Sequence, residues 1–282
     1  MKTLRDGLYG LAVGDALGVP VEFYERGTYK VTKMEGYGSW DQPPGTFSDD
    51  TSMTLATAYA IKEKKSIDLE AIMENFVDWL KDGKFTPDNN CFDVGRTTAK
   101  AIETYIETGS LEKSSQVDQR SNGNGSLMRI LPLIFTDAND EDIAKVSALT
   151  HGHEISIEGC LIYVYIGREI LKGRKLKDIL KNLKVSETYE RLKILDQLEE
   201  KDIKSTGYVV YSLEASLWCL LKSSSYEEAV LKAVNLGDDT DTIGAISGGL
   251  AGLIYGYESI PKNWIDTLRA KDLIEGAVFE SL

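Results

Sequence analysis

The sequence predicts an all-α protein: a single helical domain over residues 1–282 in which two acidic clusters meet around metal ions. Three observations lead there. Apolar residues recur at i, i+3, i+4 and i+7 in segment after segment, while no stretch alternates with the period of two that a half-buried strand needs. Glycine, proline and short hydroxyl residues fall where those segments begin and end. Two clusters, Ser48-Asp49-Asp50-Thr51 and Asp239-Thr240-Asp241-Thr242, each open a predicted helix, and packing gives no reason for so much acid there.

Leu4, Leu8, Leu11 and Ala12 predict an opening helix that ends near Gly14-Asp15. Glycine and proline bracket the stretch that follows, which predicts a sharp turn fixing Asp15 and Glu22. Asp15 reads as a helix-end or turn carboxylate. Glu22 sits among apolar neighbours, where a structural ion pair is less natural. Residues 24 to 47 form a long polar loop, and loops of that length in a compact domain are often functional. Ser48 or Asp49 then caps a helix carrying Met53, Leu55, Ala56, Ala58 and Tyr59. Capping explains one carboxylate of this cluster comfortably and two less well.

Leu69, Ile72, Phe76, Val77 and Leu80 mark the next helix, ended by Gly83 and Pro87. Asp93 reads as the N-cap of a helix through about Thr108, and residues 110 to 120 as a polar linker. Arg120 to Arg129 is a Gly/Asn turn leading into an apolar helix start, Ile130 to Phe135. Consecutive backbone N–H groups in such a turn make an anion-binding concavity, although an ordinary turn has the same composition. No Gly-Lys-Ser/Thr follows, so it is not a Walker A loop.

Ala144, Val146, Ala148 and Leu149 lead to Thr150-His151-Gly152-His153, from which one helix runs toward Leu171. Leu176, Ile179, Leu180 and Leu183 predict another helix, and the charged stretch 184 to 205 a solvated face. Gly207-Tyr208 opens a helix with Val209, Val210, Leu213, Leu217, Leu220 and Leu221, and Ser225 caps one with Ala229, Val230 and Ala233. The helix behind the second acidic cluster carries Gly244, Ala245, Ser247, Gly248, Gly249, Ala251 and Gly252. Each glycine costs roughly 1 kcal/mol relative to alanine, a cost that a buried helix at the centre of a bundle justifies. One or two short helices follow Pro261.

Composition excludes several classes. A formal net charge of −13 argues against duplex nucleic acid or an anionic membrane as a main partner. Cys91, Cys160 and Cys219 are widely separated and suggest a reducing, cytoplasmic location. Asp6 and Asp15 interrupt the N-terminal apolar run, which therefore does not read as a signal peptide. The run from Ile243 to Tyr255 is too short and too rich in glycine to span a bilayer. With only His151 and His153, a multi-histidine zinc site is impossible, so any metal is held mainly by oxygen.

Asp239, Asp241 and Thr242 at a loop-to-helix junction can point at one centre, and hard oxygen ligands suit Mg²⁺, Mn²⁺ or Ca²⁺. An EF-hand fails because Leu250 stands where its last glutamate belongs, and a D-D-x-x-D motif fails at Met53. A phosphatase-type D-x-D-x-T is a nearer miss, with Ile243 where threonine or valine is usual and a helix rather than a strand before it. With Asp49 and Asp50 there are carboxylates enough for two ions about 4 Å apart.

Taken together, Gly14-Asp15-Ala16-Leu17-Gly18, Ser48 to Thr51, Phe92-Asp93-Val94-Gly95, Ser121 to Arg129, Thr150-His151, Gly207-Tyr208-Val209 and Asp239 to Thr242 resemble the ADP-ribosylglycohydrolases of the dinitrogenase-reductase-activating type, in family order and over nearly the whole chain. The resemblance implies an all-α hydrolase, a compact orthogonal helical bundle with a dinuclear metal site in a central cleft, its two Mg²⁺ or Mn²⁺ ions held by Ser48, Asp49, Asp50, Asp239, Asp241 and Thr242. It implies that Gly95, Ser121, Asn122, Gly123, Asn124 and Gly125 cradle ADP-ribose, that His151 contacts its ribose or phosphates, and that Tyr208 stacks near the nucleotide end. Asp93 matches the base of the bacterial enzymes, and Glu22 a glutamate near the metals. The implied substrate is an ADP-ribosylated protein or small molecule, cleaved by water at C1″. A non-catalytic ADP-ribose-binding relative and an aspartate-based phosphohydrolase are the competing expectations. Ser48 for threonine, Asp238 for a second glycine, and Arg96 after Gly95 depart from the family pattern.

Overall fold

A computed structural model describes residues 2–282. Thirteen α-helices carry the fold: α1 (Leu4–Gly18), α2 (Asp49–Lys64), α3 (Leu69–Asp82), α4 (Arg96–Thr108), α5 (Leu111–Ser114), α6 (Asp140–Ala148), α7 (Glu154–Leu171), α8 (Leu176–Lys181), α9 (Val209–Leu221), α10 (Tyr226–Val234), α11 (Thr240–Tyr255), α12 (Lys262–Thr267) and α13 (Lys271–Ala277). Among the described residues there is no strand, only three isolated bridges. No described helix is long and apolar enough to cross a membrane.

The centre of the bundle is the antiparallel pair α1 and α11, the most extensive helix contact in the chain. Fourteen of the sixteen residues of α11 are buried. Gly10, Gly14 and Gly18, spaced four apart on α1, lie against Gly248, Gly244 and Asp241 of α11. A methyl group at Gly14 would collide with the Gly244 carbonyl, and one at Gly244 with the Gly14 carbonyl. The small residues of α11 therefore serve the close approach expected of them. On α1 the same feature corrects the expected helix end. Gly14 is a contact point, not a terminator, and the helix continues to Gly18, whose bare Cα lets the backbone of Asp241 come close.

The capped amphipathic helices match the reading from sequence. Asp68 Oδ1 accepts from Ala71 N–H at the start of α3, Gly83 ends it in the left-handed conformation, and Ser225 caps α10. Elsewhere the structure corrects it. Ile130 to Phe135 does not start an α-helix: Leu131–Phe135 is a 3₁₀ segment with Pro132 in its first turn. Residues 184 to 205 are not merely a solvated face. Tyr189, Leu192 and Leu195 are buried on one side of a 3₁₀ helix, Glu187–Gln197, and Ile203 is buried beyond it. Their spacing of three fits a helix with three residues per turn. Arg191 ties this segment to Glu214 of α9 at 2.9 Å. Asp93 is not an N-cap. It has φ 55°, and Gly95 occupies the cap position of α4.

Candidate metal centre and ligand cleft

Three helices begin at one place. The first turns of α2, α4 and α11 contribute Asp49, Arg96 to Thr98 and Thr242 to the same cleft, of about 280 Å³. Helix N-termini carry partial positive charge and unpaired N–H groups, so they favour anions there. The loops that complete the cleft are stapled from outside. Phe23 N–H donates to the Asp238 carbonyl (2.7 Å) and Asp238 N–H to that of Tyr24 (3.0 Å), which draws Glu22 toward Asp239. Arg26 donates to the carbonyls of Leu236 and Ile203.

The two acidic clusters of the sequence meet in the floor. Carboxylate oxygens of Asp15, Asp50 and Asp241 lie within 4.8 Å of one another, as do those of Glu22, Asp239 and Asp241, so Asp241 belongs to both groups. Ser48 Oγ donates to Asp50 Oδ2 (3.1 Å), Thr242 Oγ1 donates to the same oxygen (3.3 Å), and Asp241 Oδ1 accepts from Thr242 N–H (2.9 Å). Asp50 Oδ1 and Asp241 Oδ2 are buried and have no hydrogen-bond partner.

Burial raises the proton affinity of every carboxyl here, and repulsion adds to it at Glu22, Asp49, Asp50, Asp93 and Asp241. Asp49, Asp50 and Asp241 are pushed well above the usual range by desolvation and then by neighbouring carboxylates. Glu22 is pushed up to about 9 by desolvation, with Asp93 and Asp239 adding repulsion. Asp93 is raised by desolvation, with repulsion from Asp239 adding to it. Buried carboxylates of this density, two of them with a bare oxygen, are relieved either by taking up protons or by binding a cation. The donor set is all oxygen, which fits a hard divalent cation, and the shared Asp241 suits two ions side by side.

Of the site residues read from sequence, Glu22, Asp49, Asp93, Gly95, Gly123, Asn124, Gly125, His151, Asp239 and Thr242 line the cleft. Ser48, Asp50 and Asp241 lie buried near them. Ser121, Asn122 and Tyr208 are not on its wall. The Asn122 carbonyl accepts from Val209 N–H (3.0 Å), Asn122 Oδ1 accepts from Ser156 (2.9 Å), and Tyr208 bridges to Gly123 and packs edge-on against Tyr211. Asn124 has a role that the sequence reading missed: its Nδ2 donates to Asp239 Oδ2 (2.7 Å) and to Ser212 Oγ (2.9 Å).

Asp15 was also underrated. Fully buried and pushed up to about 7 by desolvation, it accepts from Ser48 N–H (2.8 Å), Thr51 N–H (3.0 Å) and Thr51 Oγ1 (2.6 Å). Both its oxygens are engaged, so it fixes the start of α2, while Asp50 and Asp241 keep free ones. Thr98, Arg120 and Gly207 also line the cleft, although none of them was expected as a site residue. Trp40 Nε1 donates to Glu22 Oε2, a contact hidden in the long loop. Of the two departures beside the site, Arg96 lines the cleft, whereas exposed Asp238 is turned outward, its Oδ2 accepting from Ser205 Oγ (3.4 Å).

An all-helical chain whose helix starts converge on a buried set of carboxylates able to hold a cation defines a class of helical proteins with a candidate metal site. Within that class, the chain belongs to the ADP-ribosylglycohydrolase family, whose sequence model matches residues 2–281. It is 31% identical over 284 residues to the ADP-ribosylarginine hydrolase Tri1 of Serratia proteamaculans, covering 96% of this chain and 76% of that protein. It is likewise 31% identical over 272 residues to the ADP-ribosyl-dinitrogen reductase glycohydrolase of Rhodospirillum rubrum, covering 93% and 88%. A solved structure of an ADP-ribosylglycohydrolase-related protein complex superposes with a TM-score of 0.82 at 28% identity, covering 97% of this chain and 95% of that one.

Proposed function

We propose that residues 1–282 form one domain, a divalent-metal-dependent hydrolase that removes ADP-ribose from an N-glycosidic, arginine-type linkage by attack of water at C1″ of the ribose. The observation that carries this reading is the pair of buried, unpartnered oxygens, Asp50 Oδ1 and Asp241 Oδ2, in two acidic groups sharing one aspartate. Ser48, Asp49, Asp50, Asp239, Asp241 and Thr242 would hold two Mg²⁺ or Mn²⁺ ions. Bound there, the ions would supply the charge that neutralises the cluster, anchors the ribose hydroxyls and activates water at neutral pH.

The protein's own groups do the rest. Asp93 and Glu22 both line the cleft beside the carboxylate floor, and this pair takes the proton from water and returns one to the leaving group. The transition state is oxocarbenium-like, and the neighbouring carboxylates stabilise its positive charge. Gly95, Gly123 and Gly125 present backbone to the ligand, while Arg96 and Arg120 give the wall of an acidic protein the cations that diphosphate requires. Asn124 works indirectly, by orienting Asp239.

The arginine linkage draws support from the names of two relatives, an ADP-ribosylarginine hydrolase and an ADP-ribosyl-dinitrogen reductase glycohydrolase. The test is to supply ADP-ribosyl-arginine and ADP-ribosyl-serine peptides with Mg²⁺ or Mn²⁺ and follow free ADP-ribose chromatographically. Faster release from arginine is expected. Preference for serine would overturn the linkage, and binding without release from either would favour a non-catalytic binding protein.

A further inference from the structure

Arg129 is completely buried, yet no carboxylate is among its hydrogen-bond partners. One terminal nitrogen donates to the Val146 carbonyl (3.1 Å), near the C-terminal end of α6, and to Thr150 Oγ1 (3.0 Å). Its Nε and other terminal nitrogen have no partner, and the guanidinium carbon sits 4.6 Å from the centre of the Phe76 ring. The helix end and the ring face ease the burial of a cation without repaying it. The proposed chemistry makes no use of Arg129, so a buried cation here calls for a reason.

The reason lies one bond further on. Thr150 Oγ1 is 2.8 Å from His151 Nδ1. A guanidinium can only donate, so Oγ1 is an acceptor toward Arg129. The Thr150 hydroxyl hydrogen then has one acceptor within reach among the described residues, His151 Nδ1. An imidazole nitrogen that accepts a hydrogen bond carries no proton, which leaves the proton of the neutral ring on Nε2. That edge meets the glycine turn of the cleft: a methyl group at Gly123 would lie 3.6 Å from Nε2, and one at Gly125 2.8 Å from Cε1. Burial, and then the nearby guanidinium, hold the imidazole down to about 3, so it stays uncharged.

We propose that Arg129, acting through Thr150, is a positioning residue that fixes His151 as its neutral Nε2–H tautomer, a hydrogen-bond donor to an oxygen of the ligand in the cleft. His151 is then neither a proton shuttle nor a cationic phosphate clamp. The identity of the ligand rests on the ADP-ribose reading; the tautomer does not.

The chain contains two histidines, so nitrogen-15 labelling of histidine gives two sets of ring signals, which a His153→Gln variant assigns. In the full-length protein without ligand at neutral pH, His151 should show a protonated Nε2 and a bare Nδ1. Thr150→Ser should keep that pattern. Thr150→Val, nearly isosteric, should lose the single tautomer, and its affinity for ADP-ribose by calorimetry should fall about five-fold, the worth of one neutral hydrogen bond. Arg129→Met should act in the same direction; should it not fold, the Thr150 pair decides alone. A protonated Nδ1 or an imidazolium in the wild type, or an unchanged pattern in Thr150→Val, would overturn the proposal. If no form binds ADP-ribose, the functional reading fails while the ligand-free spectra still decide the relay.

Discussion

Asp241→Asn should change the sign of its effect on stability when metal is added. Asp241 is fully buried, one of its oxygens is bare, and four acidic groups (Glu22, Asp93, Asp50 and Asp239) repel its charge. Without metal, Asp241 carries either an unpaired buried charge or a proton forced on it by its surroundings; the isosteric amide removes that burden and can donate to the carboxylates around it. A buried unsatisfied polar group costs about 1–3 kcal/mol, so the variant should gain on that order in chelator. With a divalent ion at about 100 times its Kd, the wild type gains about 2.7 kcal/mol that the variant forfeits. For 282 residues, an unfolding entropy of about 2.1 cal/mol/K per residue makes 1 kcal/mol worth about 1.7 °C in Tm. The wild type should therefore rise by about 4–5 °C with Mg²⁺ or Mn²⁺. The variant should start a few degrees higher in EDTA and barely respond. Differential scanning calorimetry in EDTA and in each metal reads both effects. A variant less stable than wild type in EDTA, with the metal response intact, would make Asp241 a structural carboxylate and refute the reasoning.

Asn124→Ala frees Asp239 from its 2.7 Å hydrogen bond, and loss of such an orienting partner should lower kcat/KM on an ADP-ribosylated substrate by about 10–100-fold with the melting curve little changed; full activity would show that Asp239 needs no orientation. Gly244→Ala drives a methyl group into the Gly14 carbonyl at the central crossing and should cost about 3 kcal/mol, or about 5 °C in Tm; a shift under about 1 °C would mean that the two helices are not in backbone contact. Asp15 and Glu22 titrate near 7 and 9 in the fold, against about 4 when unfolded. The folded state then holds more protons across that window, so metal-free stability should fall as pH rises from about 4 to 9, and the rise in Tm on adding Mg²⁺ should grow from about pH 5 to 8. A metal response that shrinks with pH would contradict the buried carboxylate account.

The helices with apolar residues at periodic positions and a recognisable cap were legible from sequence. Asp68 and Gly83 bound α3, and Ser225 opens α10, through local chemistry that a single sequence displays. What failed to read depended on a distant partner. Gly14 looks like a helix stop until Gly244 is known to lie against it. The spacing of Gly10, Gly14 and Gly18 on one helix and Gly244, Gly248 and Gly252 on the other was nonetheless available as a signal for a close crossing. Tyr189, Leu192 and Leu195 were lost among charges because their period is three. In the site, the two acidic clusters were visible as excess charge. The hydrogen bond from Asn124 to Asp239 spans 115 residues, and the contact of Trp40 with Glu22 crosses an irregular loop, so no local pattern announces either.

The proposed reaction is metal-dependent release of ADP-ribose. Chelator-treated protein should release none from an ADP-ribosyl-arginine peptide, and adding Mg²⁺ or Mn²⁺ should restore release of one free ADP-ribose and one unmodified arginine per bond cleaved. Release that continues undiminished in EDTA, or no release with either metal, would contradict it.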